Sequence, residues 1–198
     1  MLVAKNVRAR EYINETLDLS GLKVQDMRAE DIPALVDKEL PEYLGLTTTE
    51  LIANYFMLAK KPSLQVLRTI NWEDSNCLYG KPAICAIGKE EVPKSLLQMI
   101  MQRDIVVAIN KKSDLLSASL ASGYLNVQNI AFKPFNGETE AALKLGRADM
   151  AVEIVGSGKT ATAPENEGGY GLQIYAPLFF IDLALIGNKN YLSQVRER

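Results

Sequence analysis

Residues 149–160 have the sequence DMAVEIVGSGKT, in which an apolar segment leads directly into a turn containing two glycines. The segment 149–155 has the β-branched and apolar composition of a buried strand. Ligands of open α/β sheets bind beyond the carboxyl ends of the strands, where this turn would lie. We therefore expect the strand and its turn to carry the principal binding site.

The alternation of strand and helix extends through the chain in both directions. Strand-like runs lie at 2–4, 22–27, 42–46, 64–67, 82–87, 105–109 and 127–132, and one or two closing strands are predicted within 172–186. Helix-periodic segments separate most of these runs; one begins near Pro93, and another starts with the capping-box spacing of Thr47 and Glu50. This pattern predicts parallel βαβ units and an α/β fold, without an internal sequence repeat. The polar stretch 71–76 is a candidate for a crossing between two lobes.

Composition excludes several classes of function. The chain has 198 residues, 47% hydrophobic and 23% charged, as in ordinary globular proteins. A net charge of −2 without a basic tail argues against nucleic-acid binding. The sequence contains no histidine, which excludes Ser-His-Asp triads and His-ligated metal sites. No apolar run reaches the roughly 18 residues of a membrane span, so we expect a soluble, cytoplasmic protein with Cys85 as a small buried hydrophobe.

The turn Gly156-Ser157-Gly158-Lys159-Thr160 contains the Gly-Lys-Thr core of a phosphate-binding loop. The full P-loop pattern needs a glycine five residues before Gly158, where this chain has Glu153, and a dinucleotide fingerprint needs a glycine at Ala161. Backbone N–H groups, two hydroxyls and the Lys159 charge still suit an anion. The alternative is a plain glycine turn without a ligand.

Two carboxylates precede this turn. Strand alternation places Asp149 and Glu153 on one face, where they could hold ribose hydroxyls or Mg²⁺. The alternative interpretation is that they mark the solvated edge of a sheet.

The segments NGETE at 136–140, LGRAD at 145–149 and VEIVGSGKT at 152–160 resemble the catalytic half of the ATP phosphoribosyltransferase family. That family carries an N-G-x-x-E helix start and then a phosphoribosyl pyrophosphate loop of the form L-G-x-A-D-x-x-V-[DE]-I-V-x-[ST]-G-x-T. The segments MRAEDIP at 27–33, YLGLT at 43–47 and LIGNK at 185–189 resemble further family motifs. The resemblance covers nearly the whole chain.

This resemblance implies a two-lobed, periplasmic-binding-protein-like type II fold. Lobe one, on the nucleotide side, would comprise 1–102 and 175–198, and lobe two, on the phosphoribosyl pyrophosphate side, would comprise 103–174. The length is similar to the short form of the enzyme, which implies a homo-oligomer and a regulatory partner resembling a histidyl-tRNA synthetase.

The implied reaction belongs to histidine biosynthesis: N1 of ATP attacks C1 of phosphoribosyl pyrophosphate and releases pyrophosphate. Mg²⁺ would be the cofactor, bound through the phosphates with Glu153 as its one candidate protein ligand. The resemblance assigns 156–160 to the 5-phosphate and Glu153 to the ribose hydroxyls, with Asp149 in a supporting role. We also assign Lys5 to catalysis, and Lys81 and Lys111 to the pyrophosphate or triphosphate.

Departures from the family pattern keep a second hypothesis open. The chain has Lys5-Asn6-Val7 where the family has K-G-R, and 80–83 reads GKPA where the family has G-R-C-R. Two arginines that could neutralise phosphates are therefore lost. The alternative is a paralogue that binds a phosphorylated ligand, or regulates a partner, without catalysis.

Overall fold

The structure is a computed structural model that describes residues 1–5, 7–89, 104–127, 129–136 and 139–196. The chain forms two compact units. Unit 1 comprises Met1–Trp72 and Asp182–Arg198, and unit 2 comprises Glu73–Ile181. The helix predicted from Pro93 lies outside the described residues. Within the described part of the chain, no helix is long and apolar enough to cross a membrane.

The strands in chain order are β1 (Leu2–Ala4), β2 (Gln25–Met27), β3 (Gly45–Thr48), β4 (Leu64–Ile70), β5 (Ala83–Gly88), β6 (Ile105–Asn110), β7 (Ile130–Phe135), β8 (Met150–Val155), β9 (Gln173–Phe180) and β10 (Leu183–Asn188). The helices are α1 (Val7–Thr16), α2 (Ile32–Ala34, continued by a π-helical turn Leu35–Glu39), α3 (Thr49–Leu58), α4 (Asp114–Leu125, preceded by the 3₁₀ turn Lys111–Ser113), α5 (Thr139–Lys144), α6 (Lys159–Thr162) and α7 (Lys189–Arg196). A 3₁₀ turn, Glu165–Glu167, follows α6.

Unit 1 is built on a sheet of order β2-β1-β3-β10-β4. The strands β1, β2 and β3 are parallel, whereas β10 runs antiparallel to β3 and β4. The fully buried Leu2 and Ile186 pack with Ile32 and Ile52 from the helices in one apolar cluster. Burial of such side chains contributes about 1.5–3 kcal/mol each, which holds the helices on the sheet.

Unit 2 repeats this arrangement with the order β7-β6-β8-β5-β9. The strands β6, β7 and β8 are parallel, and β5 runs antiparallel to β8 and β9. Each half of the chain therefore makes three parallel strands and one edge strand, and then contributes an antiparallel strand to the sheet of the other unit. The prediction of an α/β fold is confirmed. The two units share a topology, although their sequences show no internal repeat.

The unit boundaries differ from those expected at 102/103 and 174/175. The chain enters unit 2 between Trp72 and Glu73, inside the polar stretch proposed as a crossing, and returns between Ile181 and Asp182. The cause is antiparallel pairing: Ala83 pairs with Val155, which draws β5 into the second sheet. Pairing between residues so distant in sequence leaves no local signature.

Cys85 illustrates how deeply β5 is buried. Its side chain is fully buried in the core of unit 2, and burial raises the pKa of its thiol to about 12. The thiolate is the reactive form of cysteine, so this thiol is inert. The expectation of a small buried hydrophobe is confirmed.

Candidate ligand-binding site

The carboxyl ends of β6 and β8 and the start of α5 meet in unit 2. Ile109 pairs with Val152, so the last residue of β6, Asn110, lies beside Glu153. Thr139, the first residue of α5, reaches the same carboxylate. This is the edge of the sheet at which open α/β folds bind ligands.

The Glu153 carboxylate accepts a hydrogen bond at each oxygen. Oε1 accepts from Asn110 Nδ2 at 3.0 Å and from the Ile154 backbone N–H at 2.9 Å. Oε2 accepts from the hydroxyl of the fully buried Thr139 at 3.0 Å. A carboxylate oxygen accepts about two hydrogen bonds, so Oε2 can take one further donor. The arrangement suits a single ligand hydroxyl and gives Glu153 the role of an acceptor.

Asn110 is fixed in turn by its own contacts. Its Oδ1 accepts from the Lys112 backbone N–H at 3.0 Å, as an N-cap of the 3₁₀ turn. Because Oδ1 must face this donor, the amide nitrogen has to face Glu153. Sequence reasoning missed both Asn110 and Thr139, because their partner, Glu153, lies on an element far from either residue in sequence. The available signal was that Asn110 is an asparagine that ends a strand immediately before a helical turn.

The turn 156–160 continues directly from β8. The Gly156 carbonyl accepts from the Leu78 N–H at 2.9 Å, and the Ser157 hydroxyl accepts from the Lys159 N–H at 3.4 Å. The side chains of Lys159 and Thr160 are exposed. The turn therefore presents a positive charge and a hydroxyl to solvent, three residues beyond Glu153.

Gly158 is required by the fold itself. Its φ of +78° is left-handed, and an added Cβ would lie 3.1 Å from Ile174 Cδ1 and 3.5 Å from Leu78. The space that a side chain would fill is therefore next to Ile174 and Leu78 and is not left open for an anion. Substitutions at Gly158 would therefore strain the fold before they altered a ligand.

The predicted lysines are divided between the units. Lys81 is half-buried and precedes Ala83 by two residues. Because Ala83 pairs antiparallel with Val155, the backbone at Lys81 runs beside the turn 156–160. Lys111 follows β6 directly and is exposed. Lys5 is exposed in unit 1, immediately after β1.

Asp149 lies at the opposite end of β8 from the turn. Its Oδ2 accepts from the Val106 N–H at 3.0 Å, and its own N–H donates to the Val106 carbonyl at 2.8 Å. Four residues of strand separate it from Glu153 by about 13 Å. Asp149 thus ties β8 to β6, and the alternative of a solvated sheet edge is wrong because β8 is the central strand.

The acidic groups do not form a metal cage of their own. In the described ranges, no group of three or more Cys, Asp or Glu side chains could hold a metal ion. Glu153 could still supply one carboxylate to Mg²⁺ that arrives with ligand phosphates, which is the usual mode for this ion.

The two sheets, each with three parallel strands and an exchanged antiparallel strand, define an α/β protein of the two-lobed, periplasmic-binding-protein-like type II class. A solved structure described as the ATP phosphoribosyl transferase (HisG:HisZ) complex from Thermotoga maritima is similar to this chain. The match covers 100% of this chain and 91% of that one, with a TM-score of 0.65 and 16% sequence identity. At this identity the likeness shows a related fold. The sequence matches no protein-family model and no curated protein.

Proposed function

We propose that the chain is an ATP phosphoribosyltransferase-like protein of histidine biosynthesis that binds phosphoribosyl pyrophosphate in unit 2. The observation that carries the proposal is the Glu153 carboxylate, held by Asn110 and Thr139 as an acceptor three residues before the turn 156–160, of which Lys159 and Thr160 are exposed. A ribose 5-phosphate needs both features together. The shared fold with the Thermotoga maritima complex supports the same assignment.

The residues divide the ligand between them. The turn 156–160 would hold the 5-phosphate with its backbone N–H groups, hydroxyls and the Lys159 charge. Glu153 would accept a hydrogen bond from one ribose hydroxyl through the remaining lone pair of Oε2. Lys81 and Lys111, near the ends of β5 and β6, would meet the pyrophosphate, while Asp149 supports the site by fixing β8 to β6.

In the proposed reaction, N1 of ATP attacks C1 of the ribose and pyrophosphate leaves. N1 carries no proton to remove, so the absence of histidine is no obstacle. The chain would act by orienting the ribose through Glu153 and by placing the charge of Lys81 and Lys111 near the leaving group. Mg²⁺, where it accompanies the pyrophosphate, supplies further charge neutralisation.

A second function is a regulatory or ligand-binding subunit of the same fold without catalysis. The observation that favours it is in unit 1, where Glu50 brings a buried carboxylate to the start of α3, at the carboxyl end of β3. The resemblance places the nucleotide on this side of the molecule, and a buried carboxylate would repel its phosphates. In either case we expect a cytoplasmic homo-oligomer, with a regulatory or catalytic partner chain.

The proposal is tested by binding and turnover in one set of variants. Phosphoribosyl pyrophosphate with Mg²⁺ should raise the melting temperature of the wild type, and Thr160→Glu, which places a negative charge on the exposed turn, should abolish the shift while Thr160→Gln retains most of it. Glu153→Gln should slow formation of phosphoribosyl-ATP by about ten- to a thousandfold. Binding without any product, with or without a partner subunit, would establish the second function instead.

A further inference from the structure

The central strands of the two sheets lead into helices at equivalent places. The strand β3 leads into α3 in unit 1, and β8 leads into α6 in unit 2; each strand is third of five, between a parallel and an antiparallel neighbour. In unit 2 the junction is the glycine turn proposed to hold phosphate. In unit 1 it reads Thr47-Thr48-Thr49-Glu50, without a glycine.

The side chain of Glu50 occupies the start of α3. Its Oε1 accepts from the Thr48 hydroxyl at 2.7 Å, and the backbone N–H groups of Glu50 and Leu51 also donate to the carboxylate. Thr47 does not form the predicted capping box, because its hydroxyl donates to the Ala29 carbonyl. The first N–H groups of a helix are those that a ligand phosphate would use. Here the Thr49 N–H donates to the Asp182 carbonyl at 2.9 Å, and the Glu50 carboxylate takes the next two.

The second oxygen of Glu50 is the part of the carboxylate that a ligand could satisfy. Glu50 is 4% exposed, and Oε2 is buried without a hydrogen-bond partner in the part of the chain that the structure describes. Burial raises the pKa of this carboxyl to about 7, so the carboxyl is mostly ionised at pH 8. A buried acceptor without a donor favours a ligand group that brings one.

We infer that Glu50 excludes ligand phosphate from the β3–α3 junction and that the ligand group received there is a hydrogen-bond donor, an amine or a hydroxyl. The two junctions would then have opposite specificities: the turn of unit 2 takes an anion, and the junction of unit 1 rejects one. This inference rests on the proposed function for its choice of a nucleoside as the probe. If ATP is the acceptor, its base or ribose would approach α3, and its phosphates would lie elsewhere.

The first test measures inorganic phosphate binding by calorimetry at pH 8, where Glu50 is ionised, in the Thr160→Glu background, in which the turn of unit 2 is blocked. Adding Glu50→Ala should increase phosphate affinity at least tenfold, because the helix N–H groups and the vacated space become available. Adding Glu42→Ala, an exposed residue with the same charge change, should give no increase. A folded Thr160→Glu/Glu50→Ala protein without increased affinity would overturn the inference.

The second test uses the wild type, so it remains decisive if the Glu50→Ala variant does not fold. The side-chain carboxyl ¹³C resonance of Glu50 should shift when adenosine is added and should not shift with inorganic phosphate. A shift with phosphate, or none with adenosine, would contradict the inference. The proposed function fails separately, if phosphoribosyl pyrophosphate does not stabilise the wild type or still stabilises Thr160→Glu, because that measurement concerns unit 2 alone.

Discussion

Asn110 Nδ2 lies 3.0 Å from Glu153 Oε1, and this bond joins the carboxyl ends of two neighbouring parallel strands. The Lys112 N–H holds the other end of the same amide. The orientation of Glu153 therefore depends on the N-cap of the next helical turn. A binding carboxylate supported in this way keeps one rotamer and loses little side-chain entropy when the ligand arrives.

Asn110→Asp should convert this support into repulsion. The new carboxylate would face Glu153 at hydrogen-bond distance, and two such groups cannot both remain ionised without cost. We expect affinity for phosphoribosyl pyrophosphate to fall at least tenfold at pH 8 and to recover partly at pH 6, where one proton can be shared. Calorimetric titration at the two pH values measures this. Asn129→Asp, the same change at an exposed residue of unit 2, should leave affinity within about twofold.

Thr139→Val tests the donor to Oε2. The substitution keeps the shape of a fully buried side chain but removes the hydroxyl that Glu153 accepts from. A hydrogen bond to a charged group contributes about 1.5–3 kcal/mol, so affinity should fall by about tenfold or more. Thr139→Ser retains the hydroxyl and should bind as the wild type does. Equal weakening in both variants would show that the methyl group and its packing matter, and that the hydroxyl does not.

Tyr55 and Asp37 provide a test of stability away from the site. The Tyr55 hydroxyl donates to Asp37 Oδ2 at 2.6 Å, while Oδ1 accepts from the Ser63 N–H at 2.6 Å, so one carboxylate links the π-helical turn, α3 and the start of β4. Burial, together with Asp37, raises the pKa of Tyr55 far above its usual range. Tyr55→Phe should lower the free energy of unfolding by about 1–3 kcal/mol, because it leaves Asp37 short of a donor. Tyr124→Phe, at an exposed tyrosine, is the matched control in urea denaturation and should have no effect.

The features that could be predicted from the sequence are those set by residues close together in the chain, namely the strands and the turn after β8. Apolar runs located the strands, and the run from Asp149 to Thr160 located both a central strand and its turn. The sequence did not reveal that β5 and β10 cross between sheets, because antiparallel pairing such as Ala83 with Val155 joins residues far apart in sequence. Asn110 was missed for the same reason, since its contact with Glu153 spans 43 residues.

The Thr47 and Glu50 spacing shows how a local motif can mislead. It has the form of a capping box, yet a tertiary contact with Ala29 takes the Thr47 hydroxyl, and the carboxylate bonds to Thr48 instead. The residues were correctly assigned to a helix start, whereas their partners depended on the packed neighbours. Burial of Glu50 likewise follows from the position of α3 on the sheet and has no sequence signal.

Glu50 should make stability depend on pH. Its pKa is raised from 4.5 to about 7 in the folded protein, chiefly by burial, so the native state holds this proton more tightly than the unfolded chain does. The carboxyl therefore contributes its full stability below about pH 4.5, loses it as the pH rises towards 7, and contributes no further change above that. The difference between the folded and unfolded pKa values corresponds to about 3 kcal/mol in the free energy of unfolding.

Glu50→Gln removes the titrating group, so the variant should gain stability relative to the wild type between pH 5 and pH 8, as measured by urea denaturation across that range. Glu42→Gln, at an exposed position, should instead follow the wild-type profile. If the difference between Glu50→Gln and the wild type is the same at pH 5 and pH 8, the carboxyl does not titrate in this window and the unpartnered oxygen has found a donor.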